Sequence, residues 1–173
     1  MGKRCKLDVD HPNFRKGDSP SLLDGLKKLV ELVGQDHALS GWVNHPMPGF
    51  KEYQNKIWKW DFRPEGERAS TRKGWRLYAL VSDSNATEPV PAIAFLCYDK
   101  DETPKGDHPS FLAKALKKFL AESRTADAEE RFKRQITDEG KIVSLCLGCC
   151  EVVIICAEET AVISAEEAHN CNP

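Results

Sequence analysis

The sequence predicts an α+β fold in which helices pack against a small antiparallel sheet, followed by a small metal-binding module built from a hairpin and a helix. Three observations support this: two apolar stripes recur at helical spacing, three strand-like runs lie between them, and the last part of the chain combines cysteines with a histidine. We divide the 173 residues into an N-terminal arm (1–18), an α/β domain (19–120), a charged linker (121–139) and a zinc-finger-like module (140–173).

The two predicted helices follow from their apolar spacing. Residues 1–18 show no period and are interpreted as a loose arm. Ser19 is a candidate cap, Pro20 suits a first turn and Gly34 marks an end. The buried face of this helix comprises Leu22, Leu23, Leu26, Leu29, Val30 and Val33. The second helix is predicted from Ser110, and its packing face comprises Phe111, Leu112, Ala115, Leu116, Phe119 and Leu120.

Three strands are predicted between the helices, and we expect them to form one sheet. In 57–63, apolar and polar side chains alternate, so that one face packs and the other is wet. The run 74–81 alternates in the same way, with Arg76 on the face opposite Trp75. Because 92–98 is almost continuously apolar, it is predicted to be a central strand buried on both faces. The charged stretch 121–139 is interpreted as a partly helical linker.

Charge and cysteine usage favour a cytoplasmic protein. The net charge of −2 combines a basic middle with an acidic tail, and a basic surface indicates either a polyanionic partner or a solvated face. No apolar stretch follows the basic first residues, and the apolar run 142–157 is shorter than the ~20 residues that a membrane helix needs. We expect no membrane partner. Seven cysteines without a secretion signal favour reduced thiols or metal ligands over disulfides.

The order of elements over residues 19–120 resembles the RelE/ParE/HigB superfamily of bacterial toxins. The segment 74–78, Gly-Trp-Arg-Leu-Tyr, is similar to the family's arginine-bearing strand. The segment 94–104, Ala-Phe-Leu-Cys-Tyr-Asp-Lys-Asp-Glu-Thr-Pro, is similar to its apolar strand, lysine and Thr-Pro loop, and a helix follows in both. Many relatives have two adjacent basic residues after this strand, whereas acidic residues flank Lys100 here.

The resemblance implies a metal-independent endoribonuclease that cuts messenger RNA and is neutralised by an antitoxin. Because the 2′-hydroxyl attacks the adjacent phosphate, such a site must bind a polyanion and move protons. The candidate catalytic residues are Arg76, Arg63, Lys100 and Tyr98, and Lys59 is a candidate substrate-binding residue. Each has an alternative interpretation as an ordinary surface or packing residue. Likewise, three tryptophans either stack on bases or, as the alternation favours, belong to the core: Trp58, Trp60 and Trp75.

The tail has the composition of a structural Zn²⁺ site. Four residues have suitable ligand chemistry and spacing: Cys146, Cys149, His169 and Cys171. Gly148 allows the turn of the C-x2-C segment, and Cys150 is an alternative ligand. A hairpin of 142–145 and 151–157 is expected to close the site, and 164–167 has the pattern of a capping box that opens the helix before His169. Four protein ligands would leave no open position, as in structural zinc sites.

Two functions therefore remain open. The first is a toxin-like endoribonuclease acting on mRNA, with RNA and an antitoxin-like protein as partners. The alternative is a non-catalytic RelE-like binding or regulatory protein whose zinc module contacts a protein or nucleic-acid partner. Clustering of the candidate catalytic residues would favour the first function, and their dispersal around the sheet would favour the second.

Overall fold

The computed structural model describes residues 5–36, 42–45, 47–62, 74–82, 89–100 and 108–171. The described elements are, in chain order, β1 (Cys5–Asp8), α1 (Pro20–Asp36), β2 (Val43–Asn44), a 3₁₀ turn (Lys51–Tyr53), β3 (Ile57–Phe62), β4 (Trp75–Val81), β5 (Val90–Asp99), α2 (His108–Thr125), α3 (Ala128–Arg131), β6 (Phe132–Ile136), β7 (Ile142–Cys146), β8 (Glu151–Cys156) and α4 (Glu159–Ala168). The prediction of an α+β fold is confirmed. Among the described helices, none has the length and apolar character needed to cross a membrane.

The first sheet has five strands in the order β1-β5-β4-β3-β2. The three predicted strands, β3, β4 and β5, are antiparallel neighbours as expected. The sheet is nevertheless mixed, because β1 pairs with β5 in parallel. The interpretation of 1–18 as a loose arm is therefore wrong for Cys5–Asp8. Only Cys5 and Leu7 of this short strand point into the core, which is too little alternation to predict a strand from sequence.

Helices cover both faces of this sheet. Helix α1 packs on one face, where four alternate residues of β4 lie in its apolar cluster: Trp75, Leu77, Ala79 and Val81. Helix α2 packs on the other face, where the cluster includes Tyr78 and Leu80 of the same strand. Strand β5 contributes to both clusters, as its continuous apolar sequence predicts. Trp58 and Trp60 pack partly buried on the α1 side, which agrees with the core interpretation of the tryptophans.

A second sheet lies in the C-terminal part, with strand order β6-β7-β8. The hairpin of β7 and β8 is confirmed, and its register pairs Ile142 with Cys156 and Cys146 with Glu151. Strand β6 lies inside the stretch that is interpreted as a linker, so that interpretation is wrong for Phe132–Ile136. This strand is rich in charged and amide side chains, and only its pairing with β7 identifies it.

The helix that carries His169 begins earlier than the capping-box pattern predicts. Helix α4 begins at Glu159 and uses no side-chain cap. Ser164 lies inside it and donates a hydrogen bond from Oγ to the Thr160 carbonyl oxygen. A Ser/Thr hydroxyl bonded four residues back is a common arrangement within helices, so the Ser164–Glu167 pattern does not mark a helix start here.

The two sheets share one apolar interior. Leu145, Leu147 and Cys150 pack in the same buried cluster as the inner residues of α2 and β5. Lys133 of β6 also forms an ion pair with Asp8 of β1. The part of the chain that contains the candidate metal ligands is thus packed against the first sheet with α1 and α2, which we call the α/β unit, rather than tethered to it.

Replacing Leu116 with alanine tests the shared interior. Leu116 is fully buried on the inner face of α2, and loss of its side chain should lower the free energy of unfolding by about 2–5 kcal/mol. Lys117→Ala is the matched control, because Lys117 is the next residue on α2 and its side chain is exposed. This substitution should change the free energy of unfolding by at most about 0.5 kcal/mol. Urea denaturation measures both. Equal values for the two variants would contradict the packing described here.

Candidate metal centre and candidate catalytic cluster

Four side chains of the C-terminal part converge at one point. Cys146 ends β7, Cys149 lies in the following turn, and His169 and Cys171 follow α4. One ligand atom from each lies within 4.8 Å of the others, and Cys149 Sγ is 3.4 Å from His169 Nε2. This is the predicted ligand set, and the cluster is able to hold a metal ion.

The turn between Cys146 and Cys149 brings the backbone of Gly148 close to the side chains of Cys171 and Arg124. A Cβ atom added to Gly148 would lie 2.9 Å from Cys171 Sγ and 3.1 Å from Arg124 Cγ, so a larger residue would displace a ligand or the helix side chain. Cys150 then takes a left-handed backbone conformation, with φ of 56°, and its N–H bonds to the Cys146 carbonyl at 2.8 Å. The Cys150 side chain is buried in the shared core. It does not belong to the group of four converging side chains, which contains its neighbour Cys149 instead.

The cysteines of the cluster influence one another's protonation. The hydrogen bond from the Cys149 thiol, aided by backbone N–H groups of Cys149 and Gly148, lowers the pKa of Cys146 from its ordinary value. The same hydrogen bond, with burial and the Cys146 charge, raises the pKa of Cys149. Burial and the Cys146 charge also raise the pKa of Cys171. Thiols packed this closely resist simultaneous ionisation unless a cation compensates their charge.

Side chains of the α/β unit hold the backbone of this turn. Tyr53 donates from its hydroxyl to the Gly148 carbonyl at 2.5 Å, and Arg124 Nε donates to the same oxygen at 3.3 Å. Lys56 donates to the Cys149 carbonyl at 3.1 Å and forms an ion pair with Glu151. Burial raises the pKa of Tyr53, so its hydroxyl remains a donor near neutral pH. The turn that carries the candidate ligands Cys146 and Cys149 is thus held by side chains that lie outside the second sheet and α4.

A buried carboxylate fixes α4 and hence His169. Glu166 accepts two hydrogen bonds from Arg134, at 2.9 and 2.6 Å, and one from Ser144 Oγ at 2.6 Å. These partners lie on β6 and β7, so the helix is joined to both strands. The hydrogen bonds from Arg134, followed by that from Ser144, lower the pKa of Glu166 in spite of its burial.

A second group of polar side chains lies on the α2 face of the first sheet. Asp61, Arg76 and Tyr98 occupy paired positions on β3, β4 and β5, so their side chains emerge on the same face. Arg76 Nε lies 2.8 Å and Lys100 Nζ 3.3 Å from the same oxygen, Oδ1 of Asp61. The Lys100 backbone is fixed by a hydrogen bond to the Gly74 carbonyl at 3.1 Å.

Aromatic rings and a histidine extend this group. The rings of Tyr78 and Tyr98 stack with centroids 6.2 Å apart, and the His45 ring meets Tyr78 at 5.4 Å with an angle of 67°. Lys59 is paired with Tyr78 in the register of β3 and β4. We name the whole set the sheet-face cluster: His45, Lys59, Asp61, Arg76, Tyr78, Tyr98 and Lys100.

The charges of the sheet-face cluster reinforce one another. Burial opposes ionisation of Asp61, but the hydrogen bond and charge of Arg76, with Lys100, lower the pKa of Asp61 overall. Burial likewise opposes the charge of Arg76, while Asp61 raises the pKa of Arg76 above its ordinary value. Burial raises the pKa of Tyr78. At neutral pH, Asp61 is therefore an ionised carboxylate paired with the Arg76 cation, and Tyr78 is a protonated phenol.

Most of the sequence-predicted catalytic residues come together in this cluster. Arg76, Tyr98 and Lys100 meet there, and Lys59 lies on the same face, whereas Arg63 falls outside the described residues. Sequence reasoning missed the roles of His45, Asp61 and Tyr78. For Asp61 a signal existed, because it shares the polar side of the strand with Lys59. The tryptophans proposed as an alternative stacking platform pack on the opposite, α1 face.

No family model matches the chain, and comparison with curated proteins and with solved structures likewise found no match. Functional inference therefore depends on the geometry of the metal-binding cluster and the sheet-face cluster.

Glu166→Gln tests the link that positions His169. The pKa of Glu166 is lowered in the folded state, so its contribution to stability is full above the ordinary value of 4.5 and is lost as the pH falls through the folded-state pKa. At pH 7 the variant should lose about 2 kcal/mol of unfolding free energy, and the difference from wild type should shrink below pH 4.5. Urea denaturation across this pH range measures it, with the exposed Glu167→Gln as control. A difference that does not change with pH would contradict the assignment.

Proposed function

We propose that the α/β unit is an RNA-cleaving protein of the RelE type and that the sheet-face cluster is its reaction site. The observation that carries the proposal is the meeting of Arg76 and Lys100 at one carboxylate oxygen of Asp61, with Tyr98 paired with Arg76 on the adjacent strand. Cleavage through the 2′-hydroxyl requires cations that bind the phosphate and stabilise its developing negative charge. A phosphate that displaced or extended the pairing with Asp61 would meet both cations together.

The surroundings of the cluster also suit a single-stranded substrate. Tyr98 lies between the Tyr78 ring and Phe111 at the beginning of α2, whose ring it meets edge-on at 5.8 Å. The Arg15 guanidinium lies over the Phe111 ring, 4.4 Å from its centroid. Arg15 is exposed and Phe111 is partly exposed, and a cation beside an aromatic ring is typical of surfaces that bind unpaired nucleotides. Tyr78 and Tyr98 are buried, so they support this pair and do not themselves offer a ring to a base. A protein of this type would act with an antitoxin-like partner that covers the site.

A non-catalytic binding or regulatory role is the second candidate. It is favoured by the double pairing of Asp61, which already compensates part of the charge of Arg76 and Lys100. In that case the same face would serve as a docking surface, and the metal-binding part would contribute to a protein or nucleic-acid contact.

We further propose that the Cys₃His cluster binds Zn²⁺ in a structural role. Three thiolates and one imidazole are a preferred donor set for tetrahedral zinc. All four positions are supplied by the protein, which leaves none for substrate. The zinc would fasten β7 to the end of α4 next to the shared core, where Leu145 and Leu147 are buried.

Cys146→Ser is expected to remove most of the bound zinc. The wild type should contain about one zinc per chain, as structural sites do, and the variant should fall well below half of that while its unfolding midpoint decreases. Cys156→Ser is the matched control, because Cys156 lies outside the cluster and contacts the Glu158 carbonyl instead. Elemental analysis of purified protein measures the content. Equal zinc in the wild type and Cys146→Ser would overturn the metal assignment.

Arg76→Ala is expected to abolish RNA cleavage. Cells expressing the wild type should arrest in growth with fragmented transcripts, and the purified variant should cleave RNA about 10²–10³ times more slowly, as expected when a charge-stabilising group is removed. Lys118→Ala removes an equal charge from the exposed side of α2 and should behave as wild type. Normal growth and intact RNA with well-folded wild type would favour the binding role.

A further inference from the structure

His45 occupies a defined place beside the candidate reaction site, although no motif identifies it. Its backbone N–H continues the pairing of β2 with β3 by bonding to the Ile57 carbonyl at 2.8 Å. Ile57 packs on the α2 side of the sheet, and His45 lies opposite it, so the imidazole emerges on the face that carries Asp61 and Arg76. Asn44 supports this position by donating from Nδ2 to the same carbonyl at 3.2 Å.

The imidazole is held by an edge-on ring contact with Tyr78. This contact places it next to Lys59, which is paired with Tyr78, and on the same face as Arg76, two residues before Tyr78 on β4. The ring is only partly buried, so a substrate is able to reach it. A histidine that is accessible, oriented and adjacent to phosphate-binding cations has the attributes of a proton-transfer group.

We propose that His45 accepts the proton of the attacking 2′-hydroxyl when RNA is bound at the sheet-face cluster. This inference rests on the proposed RNA cleavage and adds the group that activates the nucleophile. Its substrate is a ribose with a free 2′-hydroxyl next to a phosphodiester.

The reaction step balances with groups present on this face and water. The proton of the 2′-hydroxyl passes to the His45 ring nitrogen as O2′ forms a bond to phosphorus. The bond from phosphorus to O5′ breaks, and O5′ takes a proton from water. The resulting hydroxide removes the proton from the imidazolium. The products are a 2′,3′-cyclic phosphate and a 5′-hydroxyl, while Arg76 and Lys100 stabilise the charge on the phosphoryl oxygens.

The electrostatic environment keeps the imidazole in its basic form. Burial, followed by the charges of Lys59 and Arg76, lowers the pKa of His45 from its ordinary value of 6.5. Among the described residues, the titratable and charged groups beside His45 on this face include Lys59 and Asp61 on β3, Arg76 and Tyr78 on β4, Tyr98 on β5, and Lys100 after it. Near pH 7 most His45 rings are therefore neutral and able to accept a proton.

The deciding experiment measures cleavage of a single-stranded RNA oligonucleotide by the full-length protein between pH 5 and 8. For the wild type, kcat/KM should rise with pH to a midpoint below 6.5 and then level off. His45→Ala should lower kcat/KM at pH 7 about 100-fold or more, should lack the acidic limb, and should recover activity when imidazole is added. His45→Asn retains a polar side chain of similar size and serves as a second variant in case His45→Ala does not fold. It should show the same loss of kcat/KM.

His11→Gln is the matched control. Burial also lowers the pKa of His11, but its ring packs against Phe119 of α2 and lies outside the sheet-face cluster, so rate and pH profile should be unchanged. The same oligonucleotide with 2′-deoxyribose should resist cleavage. If the wild type cleaves RNA and the His45 variants keep both a kcat/KM within about twofold of wild type and the acidic limb, the role of His45 is overturned. The proposed RNA cleavage would stand in that case. Absence of RNA cleavage by folded wild type would overturn the proposed function and this inference together.

Discussion

Strand β5 is buried between two helices, and the positions of the neighbouring strands and of the sheet-face cluster follow from this burial. Its side chains enter the apolar clusters of both α1 and α2, and its two edges pair with β1 and β4. Beyond β1, the backbone of Arg15 continues the pairing on that edge by hydrogen-bonding to the backbone of Phe95 and Cys97. Because this strand has no solvent face, its position is fixed by packing on every side. Its end then places Tyr98 and Lys100 beside the polar ends of β3 and β4.

The candidate metal centre, the Cys₃His cluster, is tied to that same interior. Its cysteine turn is hydrogen-bonded by Tyr53, Lys56 and Arg124, all from the α/β unit, while the residues next to the ligands pack under α2. A metal at this point would therefore stabilise a joint between the two sheets as well as the end of α4. Under the proposed function, this coupling gives a physical reason for a structural zinc: the ion would compensate for the small apolar area that the second sheet buries.

The sheet-face cluster shows how a cationic site persists without substrate. Two cations close to each other repel, and burial adds a desolvation cost. Asp61 offsets both by accepting from Arg76 and Lys100 with a single oxygen. The carboxylate thus keeps the cations at the positions where a phosphate would need them. The arrangement also leaves the His45 imidazole in its neutral form, so that in the proposed reaction phosphate binding and proton transfer belong to different groups.

Local patterns in the sequence predict the long elements and the four residues of the Cys₃His cluster. Periodicity suffices for α1, α2 and β3 to β5, because each buries a stripe of apolar residues along most of its length, and the C-x2-C spacing is a local property of the chain. Tertiary structure was needed to find β1, β6 and the start of α4, since pairing with a distant strand or packing on it outweighs a weak local pattern. It also decided that His45, Asp61 and Tyr78 join Arg76. Side chains that are distant in sequence meet through strand register, and register is set by the whole core.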